Sequence, residues 1–151
     1  MRIVIVFYLI FVSIFCSGIE KKKNETLFYE AESVELRGLF QNKTFPGPPN
    51  YESIKSGDEA ESGIYISLLA PIDVTSDLSK PSEYRDDTEK SLKLIQLIVY
   101  NDHLFPLIRK FRKNKTVVTL KGKLIHRLTG HHHTPVLLEV SEVSKFEPIK
   151  K

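Results

Sequence analysis

The sequence contains a single cysteine, Cys16, and no tryptophan among its 151 residues. With one cysteine the chain cannot form an internal disulfide or a zinc site built from several cysteines. The length excludes a TIM barrel or a two-domain dinucleotide enzyme. A formal net charge of +3 is too small to indicate a nucleic-acid partner by itself, and 27% charged with 10% aromatic residues is not typical of disorder. We therefore expect one globular domain.

Motifs of the common hydrolases and nucleotide-binding proteins are also missing. The chain has no Gly-x-Ser-x-Gly and no His-Glu-x-x-His sequence, and its glycines lack the Lys-Ser/Thr ending of a phosphate-binding loop. We therefore expect that the protein is not an enzyme. An enzyme acting on a wall or glycan substrate would need paired carboxylates, for which Glu52, Asp58 and Glu139 are the acids to inspect.

The N-terminus has the parts of a secretory signal peptide. Arg2 supplies a positive charge, an apolar run extends from Ile3 to Val12, and the small residues Ser17 and Gly18 precede a charged stretch. Because a membrane span needs ~20 apolar residues, we expect none after cleavage near Gly18. The sequence thus predicts a periplasmic or secreted protein that has lost its cysteine. An uncleaved N-terminal anchor is the alternative.

The rest of the chain is expected to form one domain. We expect a signal peptide at residues 1–18, a flexible leader at 19–32, a single OB-like β-barrel domain at 33–146 and a tail at 147–151. No internal repeat or low-complexity tract divides this domain further.

Within the domain, the pattern predicts three strands, one short helix and two strands. Alternating or two-sided apolar residues predict strands at residues 34–40, 64–69, 92–100, 116–126 and from 134 onward. Pro71 would end the second strand; Asn101 or Asp102 can cap the helix, Pro106 fits its first turn, and Asn114 would end it in a left-handed conformation. This order predicts a mainly β protein, a small five-stranded OB-like barrel with one short helix between the third and fourth strands. A generic small barrel or sandwich is the alternative.

Four of the five histidines lie within eight residues, from His126 to His133. If residues 127–130 form a tight hairpin, His126 and His131 face each other and His133 shares a face with His131. Three imidazoles at this spacing, His126, His131 and His133, could bind Zn²⁺, Ni²⁺ or Cu²⁺. A polar hairpin tip without metal is the alternative, and we expect no other cofactor.

A long proline-rich loop, FPGPPNYESIKSGD, extends from Phe45 to Asp58. Its rigid backbone residues would present side chains at the surface, where binding residues tend to lie. The candidate partner-binding residues are Phe45, Asn50, Tyr51, Glu52 and Asp58. The alternative is that Phe45 and Tyr51 turn inward and close one end of the barrel.

Charge is unevenly distributed along the chain. Residues 73–89 hold six acids against two bases, and residues 102–127 hold eight bases against one acid. The basic segment could meet an anionic partner, or it could simply form a solvated face. Because we expect export, an envelope protein or a glycan is a more suitable partner than nucleic acid, which we do not expect.

Two blocks of the sequence resemble a known family. FPGPPNYESI followed by SGD, and TGHHHTPV at residues 129–136, are similar to the signature blocks of small exported bacterial proteins grouped as domain of unknown function 4431. The stretch from Thr116 to Leu124 is also similar to that family's strand before the histidines. The resemblance covers residues 34–143 and implies a bacterial envelope protein. It implies no established activity, so no residue role follows from it.

Two functions from different classes follow from these observations. The first is an exported, non-enzymatic β-barrel binding module of the bacterial envelope, including an inhibitor or immunity protein against a toxin or hydrolase. The second is a periplasmic metal-binding protein that uses the histidine hairpin. If the proline-rich loop and the histidines lie at the same end of the barrel, they form one site.

Overall fold

The computed structural model of the protein describes residues 23–81 and 88–147. The strands in these ranges are β1 (Glu25–Phe28), β2 (Val34–Pro46), β3 (Ala60–Thr75), β4 (Thr88–Ile98), β5 (Val118–His126) and β6 (Val136–Lys145). The same ranges contain one α helix, α1 (Phe105–Lys113), which follows a short 3-10 turn at Asp102–Leu104; another 3-10 turn lies at Ile54–Ser56. The expected signal peptide at residues 1–18 lies outside the described residues, as does most of the expected tail.

Strands β2 to β6 form a closed barrel. Their order is β3-β2-β5-β6-β4, and β4 also pairs with β3, which closes the ring. Every neighbouring pair in the ring is antiparallel except β4 with β6, which are parallel. The helix lies between β4 and β5 in the chain. The prediction of a mainly β, five-stranded OB-like barrel with one short helix between the third and fourth barrel strands is confirmed.

Two glycines allow close approach of neighbouring strands in the barrel wall. Gly38 pairs with both β5 and β3, so it lies where β2 changes partner. A Cβ atom on Gly38 would lie 2.2 Å from the carbonyl oxygen of Ser67, and one on Gly122 would lie 2.1 Å from the carbonyl oxygen of Glu139. Any side chain at either position would push the strands apart, which is why the sequence has glycine at both.

Strand β3 is longer than predicted, because it continues through Pro71 to Thr75. Pro71 is tolerated because the pairing of β3 with β4 is interrupted between Ser67 and Ile72, where no proline N–H is needed. Beyond this interruption β3 also pairs in parallel with β1, which lies within the segment expected to be a flexible leader. Leu27 of β1 packs against the core and accounts for the order of this strand.

The polar cap predicted for the helix lies one turn earlier, on the 3-10 turn, and α1 itself begins at Phe105 without a side-chain cap. The Asn101 side chain accepts a hydrogen bond from the backbone N–H of His103 at 3.0 Å, and Pro106 lies in the first turn of α1. Asn114 keeps a φ of −87°, so the prediction that it ends the helix in a left-handed conformation is wrong. Lys115, with a φ of 48°, takes that conformation one residue later. Within the described chain, no helix is long and apolar enough to cross a membrane.

The barrel interior is filled by aliphatic side chains from all five barrel strands. Ile66, Val74, Ile95, Leu120 and Leu138 are completely buried there, and the helix adds Ile108. Because successive residues of a strand point to opposite faces, Tyr65, next to Ile66, points to the outside of the barrel. Tyr65 is nevertheless completely buried, so other parts of the chain must cover the outer face of β3 at this point.

Candidate binding site

The connection between β5 and β6 is a long loop. β5 ends at His126 and β6 begins after Pro135, so residues 127–135, called here the histidine loop, join the two strands. The prediction of a tight hairpin at residues 127–130 is wrong, because Pro135 cannot donate a ladder hydrogen bond and β6 starts only beyond it. As a result His131 lies within the loop and does not face His126 across the sheet.

Gln96 of β4 holds the histidine loop against the outer face of the barrel. Its Oε1 accepts a hydrogen bond from the backbone N–H of His133 at 2.6 Å, and its Nε2 donates to the carbonyl oxygen of His131 at 3.0 Å. The buried hydroxyl of Thr134 accepts from the backbone N–H of Gln96 at 3.0 Å and donates to the carbonyl oxygen of Val136 at 2.7 Å. These bonds fix the loop backbone on both sides of His133.

Asp58 organises the other loop, residues 47–59, called here the proline loop. Its buried carboxylate accepts backbone N–H groups of Asn50 at 2.9 Å and of Glu52 and Ser53 at 2.8 Å each. These hydrogen bonds, that from Ser53 most strongly, hold the pKa of Asp58 below its usual range. Asp58 therefore lies inside the loop and shapes it, while Asn50 and Glu52 are exposed at its surface.

Tyr51 joins the two loops. Its backbone has a φ of 61°, a left-handed conformation that costs a residue with a side chain about 1–2 kcal/mol. Its ring lies against Gly130, where an added Cβ atom would be 2.8 Å from the Tyr51 Cζ. The same ring meets the imidazole of His131 edge to face, with centroids 5.6 Å apart, and its Oη lies 3.3 Å from the His131 Nε2. The proline loop and the histidine loop therefore form one site.

Glu61, at the start of β3, lies between two imidazoles. Its carboxylate accepts a hydrogen bond from His131 Nδ1, at 3.0 Å and 3.1 Å to the two oxygens, and its Oε2 lies 3.4 Å from His133 Nε2. Because His131 Nδ1 donates to Glu61, the Nε2 of the neutral ring is an acceptor for the Tyr51 hydroxyl. Tyr51, Glu61, His131 and His133 are called here the loop-junction cluster.

Two further aromatic rings support the cluster from beneath. The half-buried ring of Phe45 stacks on His133, with centroids 4.8 Å apart and planes inclined by 9°, and lies 5.5 Å from the ring of Tyr65. Among the described residues, no group hydrogen-bonds to the buried hydroxyl of Tyr65. Burial, with the nearby charge of Glu61, raises the pKa of Tyr65 to about 12. An unpaired buried hydroxyl is rare in proteins, so Tyr65 is an exceptional residue of this region.

The three histidines predicted as metal ligands do not share one set of contacts. The ring of His126 packs edge to face on Tyr29, with centroids 5.8 Å apart, and its Nδ1 donates to the carbonyl oxygen of Arg127 at 2.9 Å. His131 and His133 contact Glu61. Across residues 23–81 and 88–147, no group of three or more His, Cys, Asp or Glu side chains is arranged to hold a metal ion.

The fourth histidine of the segment, His132, supports the loop itself. Its ring Nδ1 accepts a hydrogen bond from the backbone N–H of Leu128 at 3.0 Å, and its backbone N–H donates to the carbonyl oxygen of Thr129 at 3.2 Å. Burial, with the neighbouring His131 and Arg127, lowers the pKa of His132 below its usual value. The neutral ring favoured in this way is the form that can accept the Leu128 hydrogen bond.

Glu61, Tyr65 and Gln96 are part of the site although sequence reasoning did not select them. Glu61 and Tyr65 lie at alternating positions of β3 with Gly63 between them, and Gln96 pairs with Tyr65 across β4. A Cβ atom on Gly63 would lie 3.1 Å from the Tyr65 hydroxyl, so the glycine makes room for the ring. The sequence signal was the alternation of polar, small and aromatic residues on the outward face of a strand that follows the proline loop.

A pocket of about 670 Å³ lies on another part of the barrel, and none of the residues predicted from the sequence lines it. Its walls include Leu36, Leu69 and Phe146. The guanidinium of Arg37 lies 5.2 Å above the Phe146 ring and pairs with Glu35 at 2.7 Å. Arg37 and Glu35 of this pocket thus already pair with each other.

The barrel and the loop-junction cluster define the class of protein as a small OB-like β-barrel domain with a polar and aromatic site between two of its loops. Residues 94–144, about a third of the chain, match the family described as Domain of unknown function (DUF4431). The matched range contains Gln96 and the histidine loop, whereas the proline loop precedes it. No curated protein is measurably similar to the chain in sequence.

Proposed function

We propose that the protein is an exported, non-enzymatic binding module of the bacterial envelope, and that its ligand binds at the loop-junction cluster. OB folds bind oligosaccharides and oligonucleotides on the face of their second and third strands and with the loops that join strands one to two and four to five. In this barrel those strands are β3 and β4, and those loops are the proline loop and the histidine loop. The cluster lies where these four elements meet.

The observation that carries the proposal is that two buried polar atoms at this junction lack hydrogen-bond partners within the described chain. Tyr65 is completely buried and its hydroxyl makes no hydrogen bond within the described chain. The Nε2 of His133 is also buried and, apart from its 3.4 Å approach to Glu61, makes no hydrogen bond there. Buried groups of this kind cost stability, so the fold gives up stability at this junction, which is typical of functional sites.

The chemistry of the cluster favours a glycan chain of the envelope as the ligand. Tyr51 and Phe45 offer aromatic surface that loses little entropy on contact, while Glu61 and His131 offer hydrogen-bonding groups for hydroxyls. An envelope protein remains the other partner that the proposal accommodates. Nucleic acid does not suit the site, because Glu61 would repel phosphate.

Export belongs to the proposal and rests on the sequence of residues 1–18, ahead of the described residues. We expect cleavage near Gly18 and a mature protein in the periplasm or the medium. Mass determination of the protein recovered from a periplasmic fraction tests this. A full-length protein held in the membrane fraction would contradict it.

The binding test is a titration of ¹⁵N-labelled mature protein with soluble peptidoglycan fragments, followed by NMR. We expect the largest shift changes at the backbone amides of Tyr51, His131 and His133 and at the side-chain amide of Gln96. Tyr51→Ala should weaken binding at least about 10-fold, since a central aromatic anchor contributes 1.4 kcal/mol or more in such sites. Tyr100→Ala, which removes an exposed tyrosine outside the cluster, is the matched control and should bind normally.

Two results would contradict this proposal. One is a set of shift changes centred on the pocket near Phe146, with the cluster unaffected. The other is equal binding by the Tyr51→Ala and Tyr100→Ala variants. The narrower role of an inhibitor or immunity protein has its own test, in which the protein is added to a wall-hydrolase assay. Inhibition lost on Tyr51→Ala and kept on Tyr100→Ala would support that role, and an unchanged lysis rate would contradict it.

A further inference from the structure

Glu61, His131 and Tyr51 form a continuous hydrogen-bonded series. The Glu61 carboxylate accepts from His131 Nδ1 at 3.0 Å, and His131 Nε2 lies 3.3 Å from the Tyr51 hydroxyl. A carboxylate that orients an imidazole, whose second nitrogen faces a hydroxyl, is the arrangement by which a hydroxyl is activated as a nucleophile. No short sequence motif contains this series, because His131 lies 70 residues from Glu61 and 80 residues from Tyr51.

The loop that carries Tyr51 is built to hold this geometry. Asp58 binds the backbone N–H groups of Asn50 and Glu52, the residues on both sides of Tyr51. The left-handed φ of Tyr51 persists because these bonds fix the neighbouring peptides. Gly130 gives the ring the space to reach His131. Such fixed positioning, with strain at one residue, is typical of reacting groups and not of a passive surface loop.

We propose that Tyr51 is a nucleophile that takes an acyl group from an activated ester or acyl-imidazole, with His131 as its general base and Glu61 as the positioning residue. The Tyr51 Oη forms a bond to the acyl carbon while its proton passes to His131 Nε2. The bond from the acyl carbon to the leaving group then breaks, and the leaving alkoxide or imidazolide takes that proton from His131. The products are O-acyltyrosine and the free alcohol or imidazole. Each chain is modified once without turnover, so the inference goes beyond the non-enzymatic binding function and does not depend on which ligand the cluster binds.

The experiment uses N-acetylimidazole as the acyl donor and the chain's own tyrosines as internal references. The mature protein is acetylated at neutral pH, and peptide mass spectrometry follows Tyr51 and Tyr100 over time, with hydroxylamine reversal as proof of an O-acetyl product. Tyr100 is 74% exposed, so access favours it over the partly buried Tyr51. We nevertheless expect Tyr51 to react at least about 10-fold faster, since general base catalysis contributes 10²-fold or more.

Variants separate the mechanism from a structural effect. His131→Gln should lower the Tyr51 rate to that of Tyr100, whereas His126→Gln, a matched histidine change outside the series, should leave it unchanged. Glu61→Gln should lower the rate in part. Melting curves confirm that each variant is folded, and a variant that fails to fold is replaced by His131→Asn or Glu61→Asp.

The pH profile gives a readout that a structural role would not move. The titratable groups around His131 are Glu61, Tyr51, the adjacent His132, and His133 on the same carboxylate. Because the proposal makes His131 the base, the wild-type rate should not depend on the formation of free phenolate. The Tyr51 rate should then rise less steeply with pH than the Tyr100 rate, and His131→Gln should restore the steeper slope. A wild-type Tyr51 no faster than Tyr100, or one indifferent to His131→Gln, would overturn the proposal.

Discussion

Replacing Tyr65 by phenylalanine should stabilise the protein, against the usual direction of core substitutions. Tyr65 is completely buried between the outer face of β3 and the two loops, and its hydroxyl makes no hydrogen bond among the described residues. The ring itself packs against Phe45 and over Gly63, and these contacts are kept in the Tyr65→Phe variant. The substitution therefore removes only the oxygen atom that lost its water on folding.

The magnitude follows from the cost of burying an unpaired polar group. Leaving such a group unsatisfied costs about 1–3 kcal/mol. The small void left by removing one oxygen atom offsets part of the stability that the substitution gains. We expect the free energy of unfolding to rise by about 1 kcal/mol, which is a rise in Tm of roughly 4 °C for a domain of this size.

The pH dependence supplies a second, independent check. The pKa of Tyr65 is raised to about 12, so the folded protein keeps this proton to higher pH than the unfolded chain, whose ordinary value is 10.0. Below pH 10 both states keep the proton, and the free energy of unfolding of the wild type falls as the pH rises from 10 towards 12, because the unfolded chain releases the proton first. The Tyr65→Phe variant lacks this loss, so its advantage over the wild type should grow across that range.

The assay is urea unfolding of both proteins, followed by circular dichroism at pH 7 and at several values from 9.5 upward. The comparison of two proteins cancels the alkaline titration of every group that they share. A variant less stable than the wild type at pH 7 would refute the reasoning, since it would mean that the Tyr65 hydroxyl is hydrogen-bonded in solution. A stability difference that stays constant with pH would refute the argument about the raised pKa.

Three further predictions concern the loops and the helix. Gly130→Ala should lower the free energy of unfolding by about 1–2 kcal/mol in urea titrations, because its Cβ would lie 2.8 Å from the Tyr51 ring; unchanged stability would mean that the ring moves freely. Asp58→Asn should destabilise the proline loop. The lowered pKa of Asp58 stabilises the wild type, and this contribution should be lost as the pH falls below the ordinary value of 3.8. Acid unfolding of the variant and the wild type measures the difference. Asn101→Ala should lower the free energy of unfolding by about 1 kcal/mol through loss of its cap, and an equal Tm for variant and wild type would contradict this.

The barrel was predictable because each of its strands has its own local pattern. The apolar residues of each strand, the cap at Asn101 on the turn before the helix, and the position of Pro106 are all features of short segments. Sequence reasoning failed where a partner from a distant segment decides the outcome. β3 passes through Pro71 only because its pairing with β4 is interrupted there, and the order of β1 depends on β3.

The candidate site could be predicted only in halves. The proline and histidine loops were selected separately, from unusual composition, and the structure brings Tyr51 and His131 together. Glu61 and Gln96 were not selected, because an acid or an amide on a strand has no distinctive local signal. Their importance comes from contacts with residues 70 and 35 positions away, which only the closed barrel defines.

The wide separation of the cluster's members along the chain couples ligand binding to folding. Tyr51 and His131 are 80 residues apart, and so the site has no counterpart in the unfolded or partly folded chain. Contacts of this range form late and slowly, since loop-closure entropy opposes them until the strands have paired. A ligand that recognises only the assembled site would stabilise the native state by about 2.7 kcal/mol at 100 times its dissociation constant. Occupancy of the site would thereby distinguish chains that have completed their barrel from those that have not.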